Sequence, residues 1–139
     1  MDTKFSVAVH VLILISESPP PINSDQMAMS VGTNASYVRK ILALLKKDGI
    51  VDGHRGISCC KLMIAPEQLT LLRIYQAVME EPRPRLLDIH QNPNDRCVVG
   101  RHIRPVLSDM FGEVEYAFAH SLAEKTLADC IAGIRKRME

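Results

Sequence analysis

Apolar and polar positions along the chain fall into blocks of different period. From Phe5 to Ser16 nearly every position is apolar: Phe5, Ala8, Leu12 and Ile15 make one helical stripe, and Val9 and Ile13 begin a second. A surface helix needs only one such stripe, so a helix apolar nearly all round is covered on more than one side. In a chain this small, another subunit is one source of the second cover. The prolines of "SPPPINS" end this helix, because Pro cannot continue it. Asn23 or Ser24 is placed to cap a short second helix over 25–31, with Asp25 in its first turn. "VGTN" is a tight connection broken by Gly32, and Thr33 or Asn34 caps a third helix over 35–47.

The third helix carries the clearest periodicity. Val38, Ile41, Leu42 and Leu45 fall at i, i+3, i+4 and i+7, one buried face. Ser36, Arg39, Lys40, Ala43, Lys46 and Lys47 fall elsewhere, and no acidic residue occurs from Gly32 through Lys47. "KDG" stops the helix, with Gly49 suited to a left-handed cap. Beyond it, Ile50-Val51 is β-prone, "DGHRG" is turn chemistry and "ISCCKLMI" can return as a strand, which predicts a small hairpin. Thr70 is placed to cap a fourth helix, "LLRIYQAVMEE", that stops before Pro82.

Residues 82–97, "PRPRLLDIHQNPNDRC", read as a loop with a short apolar insert. A long helical stripe follows: Ile103, Val106, Leu107, Met110, Val114, Ala117, Phe118, Ser121 and Leu122. Pro105 is compatible with a helix that begins near residue 101 or later, and should kink one that begins near Val98. "TLADCIAGIRKRM" predicts a last helix with Thr126 as N-cap and Asp129 completing a capping box. The expected fold is mainly α with a small β-hairpin wing. The expected division is 1–81 for the first four helices and the hairpin, 82–99 for a loop, and 100–139 for a long helix and a C-terminal helix.

Composition narrows the function classes. The chain has no Trp and 4% aromatic residues, so its core is aliphatic and Met-rich. The apolar run Phe5–Ile15 contains His10 and is too short to span a bilayer. It lacks the basic start and cleavage site of a signal peptide. Four irregularly spaced cysteines make no disulfide framework, which predicts a reduced, cytoplasmic protein with no membrane partner. A net charge of +1 excludes a strongly basic nucleic-acid binder, so any such function rests on a local patch. Neither a Ser/His/Asp order, nor paired carboxylates in an evident pocket, nor a phosphate-binding Gly loop points to an enzyme.

The order helix, helix, basic helix, basic-tipped hairpin is that of a winged helix-turn-helix. The second helix and tight turn hold the third helix against the core, leaving its other face free to enter a major groove. The hairpin places His54 and Arg55 where they reach phosphates or a minor groove. The bland reading is a solvated amphipathic helix; the ordered combination favours double-stranded DNA as partner. A winged-helix module that binds protein and not DNA, and a thiol-redox or small-ligand sensor, are the rival classes.

"FSVAVHVLILI", "SYVRKILALLKKDGIV" followed by "HRG", "LTLLRIYQAV" and "TLADCI" resemble the Rrf2 family of bacterial transcriptional regulators over nearly the whole chain. Better-known relatives are the iron–sulfur-cluster regulator, the nitric-oxide-sensitive repressor and the cysteine-metabolism repressor. The resemblance implies a homodimer, each subunit with one winged helix-turn-helix and a long dimerisation helix, acting as a repressor at operator DNA. It also implies that Ser36, Tyr37 and Arg39 are recognition-helix contacts and Arg55 the wing arginine. Lys40 and Lys46 join them as DNA-binding candidates on the exposed side, Lys46 as a phosphate contact. Two departures bear on specificity. Where some relatives carry an acidic reading residue, Arg39 reverses the charge and favours guanine or phosphate. Where the family has Gly-Gly-Tyr, this chain has Ser58, Cys59 and Cys60.

Cluster-binding members carry three cysteines in the loop before the long helix. Here "HQNPNDRC" holds Cys97 alone, and a cluster needs about four ligands, so no iron–sulfur cofactor is expected. His90 and His102 flank Cys97 without a zinc spacing, so no metal site is expected. Cys97 lies near a helix N-terminus with Arg96 and Arg101 close in sequence, which favours thiolate and makes it the candidate redox sensor, against the plainer reading of an isolated reduced thiol. The partner cysteine of oxidant-sensing relatives falls near Thr33, which is not a cysteine, so that pair cannot form. Strand alternation puts Cys60 on the face of Leu62, toward the core, and Cys59 outward. Cys130 reads as helix packing.

Overall fold

The computed structural model describes residues 2–53 and 60–139. Six helices are present among them: α1 (Lys4–Glu17), α2 (Ser24–Val31), α3 (Ala35–Lys47), α4 (Leu71–Met79), α5 (Val98–Ala123) and α6 (Leu127–Met138). Between α3 and α4, β1 (Val51–Asp52) pairs antiparallel with β2 (Lys61–Leu62), with Val51 opposite Leu62 and Asp52 opposite Lys61. The fold is the mainly helical, hairpin-bearing one expected. His54, Arg55 and Cys59 lie outside the described residues.

Local chemistry accounts for the helix starts. Asn23 accepts a hydrogen bond from the Gln26 N–H and Gln26 answers at the Asn23 N–H, a complete capping box. Asn34, rather than Thr33, caps α3 by accepting from the Tyr37 N–H at 2.8 Å. Thr70 caps α4, and Thr126 with Asp129 forms the capping box of α6. Between α2 and α3 the chain reverses at Gly32, whose φ of 86° suits glycine and strains other residues. Asn34→Ala should lower stability by about 1 kcal/mol, because it removes one cap from the helix that carries the basic face. Urea unfolding would measure it; an unchanged midpoint would mean that the cap contributes nothing net.

Packing explains why α1 is apolar nearly all round. On one side Ala8 and Leu12 join Ile41, Leu45, Ile50, Val51, Leu69, Ile74, Val78, Leu127 and Ile131 in one buried cluster. On another, Val11 joins Met27, Ala28, Val38 and Leu42 in a second, with Cys60 against its edge. The helix touches α2, α3, α4, α6 and β2. Covers on both of these sides come from within the chain, while Val9 and Ile13, which begin the second stripe, stay half-buried.

After α5, α6 turns back onto the 1–81 body. Leu127 N–H donates to Leu69 O at 2.8 Å, Leu71 N–H to Lys125 O at 2.9 Å, and Ala128 N–H to Pro66 O at 3.1 Å. Leu127 and Ile131 are buried in the larger cluster, and Arg135 Nε donates to Glu17 Oε1 at 2.8 Å. α5, with the 82–97 loop along it, packs on α4.

α5 begins at Val98, the earlier of the two expected starts, and runs 26 residues with Pro105 inside it. Its first turn closes on the loop. A Cβ at Gly100 would fall 2.1 Å from Asn94 O, so only glycine admits that approach. α4 ends at Met79, two residues earlier than expected: Glu80 takes a left-handed φ of 54°, and Gln76 Nε2 reaches forward to Pro82 O at 2.8 Å.

Candidate nucleic-acid interface

Four buried side chains, Val38, Ile41, Leu42 and Leu45, fix the roll of α3. Given that roll, helical geometry turns Ser36, Arg39, Lys40 and Lys46 outward, and all four are exposed. Lys46 and Lys47 occupy the last turn, where their charge also complements the helix dipole.

Two expected contacts have other duties. Tyr37 is half-buried and packs against the larger core cluster, so it presents an edge and not a free side chain. Lys46 Nζ donates to Gly53 O at 3.0 Å, which ties the end of α3 to the turn of the hairpin. Its ammonium helps to place the wing as well as to supply charge. Beside it, Arg73 of α4 donates through Nε to Asp48 Oδ2 at 3.1 Å and through Nη2 to Asp48 O at 2.9 Å, closing the C-terminal end of α3.

A groove of about 670 Å³ lies beside the N-terminal end of α3. Thr3, Ser6 and His10 of the α1 segment form one wall, and Thr33, Asn34 and Tyr37 the other. His10 Nε2 is hydrogen-bonded to Ser30 Oγ at 2.9 Å, which holds the α1 wall to α2. Sequence reading did not single out this polar wall. The signal was there: Thr3, Ser6 and His10 recur at i, i+3 and i+7 and interrupt an otherwise apolar helix.

Cys97 lies away from this face. It is exposed, at the N-cap position of α5. The backbone N–H groups of Gly100 and then Val99 face the sulfur and draw the thiol below its ordinary value, without closing a regular capping hydrogen bond. Cys130, half-buried on α6, is pushed the other way by burial and by the Asp129 charge. Alkylation with iodoacetamide near neutral pH should therefore modify Cys97 well before Cys130, followed by peptide mass spectrometry. Equal rates would contradict both environments.

Comparison with known proteins decides the family. The Rrf2 profile, described as iron-dependent transcriptional regulator, matches residues 1–133. The chain belongs to the Rrf2 family. YwnA of Bacillus subtilis, classed by name among HTH-type transcriptional regulators, is 36% identical over 129 residues, 93% of this chain and 95% of that protein. A solved structure described as a DNA binding protein is 33% identical, covers 92% of this chain and 98% of its own, and superposes with a TM-score of 0.73. IscR from T. potens, at 18% identity, covers all of this chain and 90% of its own with a TM-score of 0.72, a likeness of fold. This Rrf2 member is a transcriptional regulator and not an enzyme.

The family description names iron. Among the described residues no three of His, Cys, Asp and Glu come together as a metal site. Cys97 lies in the loop position, while Cys60 and Cys130 belong to the hairpin and to α6. No helix among the described residues is long and apolar enough to cross a membrane.

Proposed function

We propose that this Rrf2 member is a cytoplasmic homodimer that represses transcription by binding a pseudo-palindromic operator, without an iron–sulfur cluster or other metal. One observation carries the reading: α3 buries four apolar side chains and leaves Ser36, Arg39 and Lys40 exposed, beside a hairpin whose base Lys46 secures. A helix so held can enter a major groove with its side chains toward base edges. Arg39 reads a base, most simply the O6 and N7 acceptors of guanine. Ser36, Tyr37 and Lys40 complete the helix contacts, Lys46 adds phosphate attraction, and His54 and Arg55 serve from the wing. Thr3 and Ser6, across the groove from Asn34, suit a phosphate approaching the start of α3.

Homodimerisation is supported by α5. Met110, Val114, Val106 and Phe118 are exposed on a single subunit, a stripe too apolar to be left in water. Two copies joined there present two recognition helices, so half-sites should lie about one helical turn, or a multiple of it, apart. Selection of bound duplexes from a random pool, with titration against salt, tests the reading. The expected result is an inverted repeat bound with a steep salt slope. Absence of any salt-dependent duplex binding would favour the protein-interaction alternative.

A redox-sensing role for Cys97 is a second reading, favoured by its exposed sulfur and lowered proton affinity. Peroxide should then weaken operator binding by the wild type and leave Cys97→Ser unaffected. Equal sensitivity of the two would end this reading.

A further inference from the structure

The 82–97 loop is not a loose connection. It runs antiparallel to α5 and is pinned to it at three places: Arg101 Nε donates to Asp95 O at 3.0 Å in the first turn, and two further pins lie along the helix. Glu115 Oε2 accepts from the Leu86 N–H at 2.6 Å and from the Leu87 N–H at 3.3 Å. Arg104 Nη1 donates to His90 O at 2.7 Å and to Gln91 Oε1 at 3.3 Å. Between the pins, loop and helix enclose a cleft of about 350 Å³, which falls in the roughly 300–1,000 Å³ range of small-molecule sites.

Arg104 uses Nη1 for the loop, while its Nε and Nη2 make no hydrogen bond among the described residues. Ser108, one turn on, and the Asp88 carboxylate line the same cavity, and neither side chain is hydrogen-bonded among the described residues. Phe111 of α5 and Leu87 and Ile89 of the loop give the lining its apolar part, and Arg85, Gln91 and Glu115 complete it. Arg104 to Phe111 spans about 10 Å of helix axis, room for one amphiphilic molecule of medium length. A guanidinium fork with unused donors selects a carboxylate, and a carboxylate with no partner selects a cation. Found together in one cleft with Leu87, Ile89 and Phe111, they describe a free α-amino acid with an apolar side chain.

We propose that this cleft is an effector site for such an amino acid. Its carboxylate meets Arg104 and Ser108, its ammonium meets Asp88, and its side chain packs on Phe111. Arg104, Ser108 and Phe111 share one face of α5; Met110 and Val114 lie to one side of it, and Phe118 of the seam follows Phe111 two turns on along the same face, so the site adjoins the dimer seam. Because α5 carries both site and seam and Arg104 also holds the loop, occupancy can shift how two subunits meet. The effector role rests on the regulator reading; the binding site does not.

Isothermal titration of the full chain with L-leucine and L-methionine tests the site without DNA. Either amino acid should bind, and isoamylamine and isocaproate, each lacking one charged group, should bind at least tenfold more weakly. Arg104→Gln and Asp88→Asn should each weaken binding tenfold or more with circular dichroism unchanged. Asp88→Asn decides the matter if the arginine variant folds poorly, since Asp88 holds no other group among the described residues. No heat at millimolar ligand, isocaproate equal to leucine, or binding unaltered by Asp88→Asn would overturn the site. Operator affinity measured with and without leucine should then differ several-fold in the wild type and not in Asp88→Asn. Binding without that difference overturns the effector role, whereas failure to bind any duplex overturns the regulator reading and leaves the calorimetric result standing.

Discussion

Replacing Met110 and Val114 together by Glu is expected to yield monomers and to abolish operator binding at concentrations where the wild type is saturated. In the single subunit Met110 is 58% exposed and Val114 52%. They lie four residues apart on one face of α5, with Val106 and Phe118 above and below. Burying each such side chain against a second copy contributes about 1.5–3 kcal/mol at most, and the stripe supplies several of them. Two carboxylates in the same seam reverse that gain, because each loses hydration without a partner, at several kcal/mol per ion. Neither residue belongs to the buried clusters around α1, so the subunit itself should remain folded. Monomers would then hold the DNA by one half-site and lose the advantage of linked binding. Sedimentation velocity at micromolar protein distinguishes the species. A wild type that is a folded monomer, or a double variant that stays dimeric, would remove α5 as the seam.

Arg39→Ala should cost about 1–3 kcal/mol of operator affinity and relax preference at one position in each half-site. By RT ln Kd that is about a five- to 150-fold weaker complex. Arg39 lies on the exposed face between Ser36 and Ala43, and its guanidinium forms no hydrogen bond or ion pair among the described residues, so its removal should leave the fold intact. A side chain that merely met phosphate would weaken all sequences alike and lower the salt slope, without changing base preference. Lys46→Ala should behave in that second way, with an added loss from the freed Gly53 carbonyl that it anchors. Anisotropy titrations against single-base operator variants separate the two behaviours. If Arg39→Ala leaves both affinity and preference unchanged on a confirmed operator, the reading residue is Tyr37 or lies in the wing.

The features that the sequence predicted correctly share a short range. The caps at Asn23, Asn34, Thr70 and Thr126 join a side chain to a backbone N–H three residues on, and α3 is written in a repeat of Val38, Ile41, Leu42 and Leu45. Such signals lie within one or two turns, so periodicity and capping chemistry expose them without knowledge of the rest. Cys60, expected toward the core on the face of Leu62, precedes β2 and packs against the smaller cluster, whereas Leu62 packs against the larger. The family motifs extended this to function because the recognition helix and its neighbours are contiguous in the chain.

By itself, then, the sequence determined the helix-turn-helix order, the exposed basic face of α3, the hairpin after it and the apolar stripe of α5. Only the tertiary structure decided where the long-range partners fall. A helix apolar all round states that it has two covers but not whose they are; α2 and α3 on one side and α4 and α6 on the other supply them within the chain. The amphipathic pattern of α6 does not say that it returns to Leu69 and Glu17, because that depends on the path of α5 before it. Pro105 argued for a later helix start by a rule that considers only the backbone. Contacts from Arg101 to Asp95 and from Arg104 to His90 hold the first turns of α5 regardless. The groove of Thr3, Ser6 and His10 and the cleft of Asp88 and Arg104 each join residues distant in sequence. No local period records such meetings, since they exist only once burial of the apolar faces has fixed the elements against one another.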